Sequence, residues 1–272
     1  MQKARNRQSN ALWTAPATLA LCVACSGIFV SPAQAADAAA SPALHPPEGL
    51  VVKSDARRAV GGLAALVVVG LLDENLAREG TESNSPFAIS TAQVGERMGN
   101  PIYLAPAMGA VWLGGKMSGH PGLSTSTLRI AGGIAASVVV STGLKMTVGR
   151  ARPNDAPDDP DEFRPFSGQS AFPSGHTTVA FSLASGIDRE TKAHWVPFVV
   201  YPMAGLVGWS RIRDNRHWAS DVLAGAIVGV WASHKFAVLT GPGHDGPSPL
   251  VEMGVGPNPT GPGGAASATL HF

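Results

Sequence analysis

The stretch Ile130-Ala-Gly-Gly-Ile-Ala-Ala-Ser-Val-Val-Val-Ser-Thr-Gly-Leu144 contains no charged residue and no regular alternation of apolar and polar positions. A half-buried strand needs that alternation and a buried strand is usually shorter, so the segment reads as a helix packed among others. Only the β-branched run Val138 to Val140 favours a strand locally. Five further stretches share the pattern: Ala59 to Leu72, Ile102 to Gly114, Thr177 to Ile187, Trp195 to Trp209 and Val222 to Ala232. The expected fold is all-α, a helical bundle of about six core helices.

The flanks of this bundle read differently. Lys3, Arg5 and Arg7 precede an apolar stretch from Ala11 to Val30, and the small residues Ala33 and Ala35 follow it. That is the layout of a secretory signal peptide over residues 1–35, with an uncleaved anchor helix as the alternative. Export to the periplasm, or to the periplasmic face of the cell envelope, is the expectation. Cys22 and Cys25 both fall inside this segment, so a chain starting near Ala36 has no disulfide and no thiol nucleophile. Residues 36–54, rich in Ala, Pro and Ser, read as a flexible lead-in, and residues 55–240 as the helical domain. In residues 241–272 Gly and Pro recur too often for a helix, which predicts an irregular tail with at most one short strand at Ala268 to Phe272.

Charged residues make up only 14% of the 272-residue chain and the formal net charge is +1. Such a balance offers no general attraction for nucleic acid. A helix crossing the hydrocarbon needs about 20 apolar residues, and the stretches above fall at or below that margin. Gly225 and Gly229 let helices approach closely in either setting. The expectation leans to a soluble or peripherally attached body, with membrane contact left open.

Three clusters carry chemistry. In Lys145-Met-Thr-Val-Gly-Arg-Ala-Arg-Pro153 a long apolar segment runs out into cations at one end of the bundle. Phe172-Pro-Ser-Gly-His-Thr-Thr178 opens a helix, with Ser174 as a candidate N-cap. The unpaired N–H groups of a helix start and its partial positive charge suit phosphate oxygens, and Gly175 allows close approach. Ser210-Arg-Ile-Arg-Asp-Asn-Arg-His-Trp-Ala-Ser-Asp221 closes the set. If its helix begins near Asn215, His217 and Asp221 share a face, and a carboxylate on one ring nitrogen leaves the other as a nucleophile or base. Each cluster has a plainer reading as helix-end charges, an ordinary capped helix, or an exposed ion pair.

Together, K-x6-R-P at Lys145 to Pro153, P-S-G-H at Pro173 to His176 and S-R-x5-H-x3-D at Ser210 to Asp221 resemble the signature of the type 2 phosphatidic acid phosphatase superfamily at every specified position. The resemblance is strongest from Lys145 to Asp221. It implies an all-α phosphatase acting through a histidine-phosphate intermediate, in which His217 attacks phosphorus, Asp221 orients it and His176 protonates the leaving alkoxide. Lys145, Arg152 and Arg211, with backbone groups of Ser174 and Gly175, would bind the phosphoryl oxygens. Arg150, Arg213 and Arg216 miss the motif and read as surface or rim charges.

No metal-ligand spacing is evident, and the acids Asp158, Asp159, Asp161 and Glu162 read as a solvated loop. The expectation is a site without cofactor or metal, acting on a phosphorylated small molecule or a lipid phosphate. The alternatives are a vanadium-dependent haloperoxidase, whose vanadate would occupy the same anion pocket, and a non-catalytic envelope protein that only binds anionic headgroups. The motif reads the phosphoryl group and leaves what carries it open.

Overall fold

The computed structural model describes residues 53–82, 85–240, 251–257 and 264–270. The signal-peptide segment and nearly all of the lead-in lie outside the described residues. Eight helices run in order: α1 (Lys53–Gly70), α2 (Asp73–Glu82), α3 (Pro86–Gly99), α4 (Pro101–Met117), α5 (Pro121–Val148), α6 (Gly175–Thr191), α7 (Pro197–Arg213) and α8 (Ala219–Thr240). Each of the six apolar stretches falls on a helix, although Leu71 and Leu72 run past the end of α1 and Trp195 and Val196 precede α7; α2 and α3 are additional.

Local chemistry explains most boundaries. Ser85 caps α3 by accepting the Ala88 N–H at 3.2 Å, and Pro86 follows at a position where no N–H is needed. Asn100 ends α3 and also starts α4, its Oδ1 accepting the Ile102 N–H at 3.0 Å. The long α5 stops at Gly149, whose φ of 60° suits a residue without Cβ, and a Cβ there would overlap the Arg164 carbonyl.

Two buried clusters hold the bundle. Val69, Ala88, Ala92, Trp209, Ile212 and Leu223 join α1, α3, α7 and α8. Phe181, Tyr201, Val207 and Ala226 join α6, α7 and α8. Between α8 and α6 there is almost no side-chain layer: a Cβ on Gly225 would stand 2.6 Å from the Ser174 carbonyl oxygen, and one on Gly229 would overlap that of Thr178. The backbone that carries the Pro-Ser-Gly-His turn therefore rests directly on α8.

Two expectations are corrected here. Ser, Thr and Gly flank the apolar runs without breaking the helices, so α5 reaches 28 residues and α8 reaches 22. Both are long and apolar enough to cross a membrane, and α1 with α2 would make a third span bent by 62°. The short apolar runs therefore do not support the lean towards a soluble body. The C-terminal segment also holds more than one strand: β1 (Val251–Pro257) pairs antiparallel with β2 (Gly264–Leu270), Val251 opposite Leu270.

Candidate active site

The site forms where the C-terminal end of α5, the N-terminal ends of α6 and α8, and the C-terminal end of α7 meet. The loop from Gly149 to Ser174 drapes over this end. It is pinned by the Arg164 N–H on the Gly149 carbonyl (2.7 Å), the Ala151 N–H on that of Glu162 (3.0 Å) and the Ala171 N–H on that of Arg150 (3.1 Å).

All eight expected residues come to this end of the bundle. Lys145 sits one turn before the end of α5, and its Nζ donates to the carbonyls of Ser170 (2.7 Å) and Pro173 (2.5 Å). Arg152 donates to the Ser170 hydroxyl at 3.1 Å. Ser174 precedes α6 without a side-chain cap; it is fully buried, its N–H reaches the Asp221 carbonyl at 2.9 Å, and its hydroxyl accepts from Thr177. Gly175 is the first residue of α6, and a Cβ there would lie 3.7 Å from the Lys145 side chain. Arg211 lies in the last turn of α7, paired with Asp214 at 2.8 Å, and its carbonyl accepts the His217 N–H at 3.3 Å.

The third cluster departs from expectation in detail. Asn215 adopts a φ of 53° and α8 begins only at Ala219, so His217 lies in the connecting turn rather than on the helix. Its ring is held by the main chain: Nδ1 lies 2.8 Å from the Ala171 carbonyl and 3.6 Å from Asp221 Oδ2. A carbonyl only accepts, so Nδ1 carries the hydrogen and Nε2 presents a lone pair. Asp221 instead accepts the Trp218 N–H on Oδ2 (2.9 Å), as the acidic member of a capping box does.

Arg150 corrects the reading of a surface charge. Only 3% of it is exposed, and its Nη1 meets Asp221 Oδ1 at 2.8 Å while Nη2 meets Asp73 Oδ2 at 2.7 Å. Asp73, from α2, is fully buried and was not singled out by any motif. Arg216 is exposed as expected, and Arg213 is half-buried beside Asp214. Two further acids complete the surroundings: Asp214, and Glu96 of α3, which faces His176 and Arg211. Glu96 could have been found from the small-residue stripe Ala88, Ala92, Gly95 and Gly99 on the same helix; Gly99 packs on His176 and Gly95 on Ser210.

Electrostatics differ between the two histidines. Burial pushes His176 down to about 4, aided by the positive Arg211 and by His217 and opposed by Glu96. Its Nε2 is buried without a hydrogen-bond partner. Burial also lowers His217, while its contact with the Asp221 carboxylate works the other way. Among the described residues no group of three or more His, Cys, Asp or Glu is placed to hold a metal ion. A polar cleft of about 370 Å³ opens beside Arg152, with Asp155, Gln169 and Ser170 in its wall.

Residues 126–240, which hold every residue expected at the site, match the PAP2 superfamily model. This part of the chain belongs to that superfamily, the type 2 phosphatidic acid phosphatases. Among curated PAP2 relatives, a lipid A 1-phosphatase of Porphyromonas gingivalis is 32% identical over 140 residues, covering 49% of this chain and 28% of the relative. One of Rhizobium johnstonii is 36% identical over 100 residues, covering 35% and 40%. The chain thus spans well under two thirds of the length of these relatives. The crystal structure of Aquifex aeolicus LpxE shares the PAP2 fold at a TM-score of 0.50 and 20% identity, covering 61% of this chain and 94% of that one.

Proposed function

We propose that this PAP2 member is a phosphatase that hydrolyses lipid phosphate monoesters or pyrophosphates through a phosphohistidine intermediate. The observation that carries the reading is the fixed tautomer of His217 at the meeting point of Lys145, Arg152 and the start of α6. Nε2 attacks phosphorus, the bond to the leaving oxygen breaks, and the proton on His176 goes to that oxygen. Water then attacks the phosphohistidine, giving its proton to the now neutral His176 and releasing phosphate. Throughout, Lys145, Arg152, Arg211 and the Gly175 N–H hold the equatorial oxygens, where the charge of phosphoryl transfer spreads; the Ser174 N–H, expected to join them, is instead taken by the Asp221 carbonyl.

A lipid substrate is favoured by where the site sits. Lys145 lies near the last residue of one membrane-length helix and Asp221 near the first of another. If both helices span a membrane, the pocket at their ends would lie at the boundary between hydrocarbon and water, the depth of a lipid phosphate. The relatives named for lipid A agree with this class. Export of the N-terminal segment would set the pocket on the periplasmic side of the envelope.

The test is phosphate release by the purified full chain in detergent micelles, with phosphatidate, a polyprenyl pyrophosphate and an aryl phosphate as substrates. The expected result is turnover of all three with higher kcat/KM on a lipid. Failure to release phosphate from any of them would overturn the reading.

A further inference from the structure

The arginine outside the motif is held more tightly than those inside it. Arg150 places Nη1 on Asp221 Oδ1 (2.8 Å) and on the Ser220 hydroxyl (2.6 Å), and Nη2 on Asp73 Oδ2 (2.7 Å). Nε and Nη2 both reach the Pro160 carbonyl, at 2.8 and 2.6 Å. Its guanidinium also lies over the rings of Phe163 and Trp218, with centroids at 5.2 and 5.5 Å. Asp73 completes a ring: Oδ1 accepts the Ser220 N–H at 2.8 Å and Oδ2 the Ser220 hydroxyl at 2.5 Å.

Every partner in this ring bears on His217. Trp218 is its neighbour in sequence, Ser220 and Asp221 open α8, and Pro160 and Phe163 belong to the loop that carries Ala171. Both oxygens of Asp221 are fixed, one by Arg150 and one by the Trp218 N–H. A buried ion pair adds little net stability over a well-packed apolar replacement, so stability alone does not account for a cation between two buried carboxylates. Holding a carboxylate pointed in one direction does call for it, because a guanidinium fixes both the distance and the angle at which the carboxylate oxygen sits.

We propose that Arg150 and Asp73 are positioning residues for phosphoryl transfer: Arg150 holds the Asp221 carboxylate aimed at His217, and Asp73 anchors Arg150 and the first turn of α8. This deepens the phosphatase reading and depends on it for its kinetic arm. The charged groups facing the pair are Lys145 of α5 and Arg150 and Arg152 of the loop, with His176 of α6 beside His217. These remain in every variant that leaves them in place.

The experiment compares Arg150→Gln, Arg150→Lys, Asp73→Asn and Ser220→Ala in the full chain in detergent, each checked for helix content by circular dichroism. The kinetic readout is kcat and KM for an aryl phosphate across pH. R150Q is expected to lower kcat by roughly a hundredfold, the scale of an ångström of misplacement, with KM changed far less. Its acid limb should move to lower pH, because a less well aimed Asp221 carboxylate no longer offsets the effect of burial on His217. Added guanidinium should restore part of the rate. R150K, a point charge lacking the fork, should recover only a fraction. D73N should lower kcat with a smaller move of that limb, since Arg150 still faces Asp221. S220A removes one hydroxyl and should give a smaller loss of the same kind.

An independent readout is the imidazole titration of His217 by nitrogen-15 NMR, which needs no turnover. The proposal stands if R150Q lowers the His217 midpoint, even were no phosphate ester hydrolysed, in which case only the phosphatase reading falls. It is overturned if the folded variants keep the wild-type kcat, pH limbs and His217 midpoint. S220A and D73N matching wild type while R150Q fails to fold would also overturn it, by leaving Arg150 as packing alone.

Discussion

The His217 ring gives its Nδ1 hydrogen to the Ala171 carbonyl at 2.8 Å, while Asp221 stands 3.6 Å away. The main chain, not the carboxylate, chooses the tautomer. Asp221 acts on the ring through its charge, and its own orientation comes from Trp218 and Arg150.

Replacing His217 by Ala is therefore expected to cost four or more orders of magnitude in kcat, as deletion of a nucleophile does. Asp221→Asn should cost less, at most about a thousandfold, because the loss of about 10⁴ seen where an aspartate sets the tautomer has no counterpart here. Turnover of an aryl phosphate by both purified variants checks this; equal losses would return the tautomer to Asp221.

The pH profile should lie to the acid side. A general acid works only while protonated, so rate falls as pH rises through the His176 value. That value is pushed from 6.5 to about 4 by burial and neighbouring positive charge, and a bound phosphate dianion opposes the shift. The alkaline limb of kcat/KM, which reports the free enzyme, is expected below 6.5, and that of kcat at higher pH. At the acid end the rate falls as His217 takes a proton. An alkaline limb of kcat/KM above neutrality would remove His176 from the acid's role.

Two glycine replacements should move stability in opposite directions. In a helix interior Ala exceeds Gly by about 1 kcal/mol. At Gly109 nothing lies within 4 Å of an added Cβ, so Gly109→Ala should raise Tm. At Gly225 the Cβ would meet the Ser174 carbonyl at 2.6 Å, and overpacking costs about 1–3 kcal/mol. Gly225→Ala should lower Tm and also kcat, since the displaced atom belongs to the phosphate-binding turn. Thermal unfolding with a parallel kcat measurement reads both.

Chelation should leave the rate unchanged. On the proposed reading, the positive charge that phosphoryl transfer requires would come from Lys145, Arg152, Arg211 and the start of α6. Activity abolished by EDTA and restored by a divalent cation would contradict this.

The residues that gather at the candidate site were legible in the sequence because their type and spacing follow a motif. Asp73 was illegible for the converse reason: it meets Arg150 across 77 positions, and no local pattern encodes such a meeting. Arg150 shows a charge in the sequence but not its depth. For α2, whose residues are mostly polar, and α3, whose buried face is Ala and Gly, apolar runs give no signal, although Ser85-Pro86 marks the start of α3. The start of α8 was misplaced because the turn at Asn215 depends on a left-handed backbone. The helices exceed their apolar cores, and Ser and Thr are accommodated in the added turns because their hydroxyls bond back to carbonyls a turn earlier, as Thr127 does to Leu123.

The seam at Gly225 and Gly229 sets a limit on how this fold can diversify. With main chain against main chain, no side chain is available there to be enlarged, trimmed or rotated, and sideways slip has nothing to absorb it. New preferences for what bears the phosphate must then arise in the Gly149 to Ser174 loop and the cleft beside Arg152, where a substitution changes the mouth without shifting the floor.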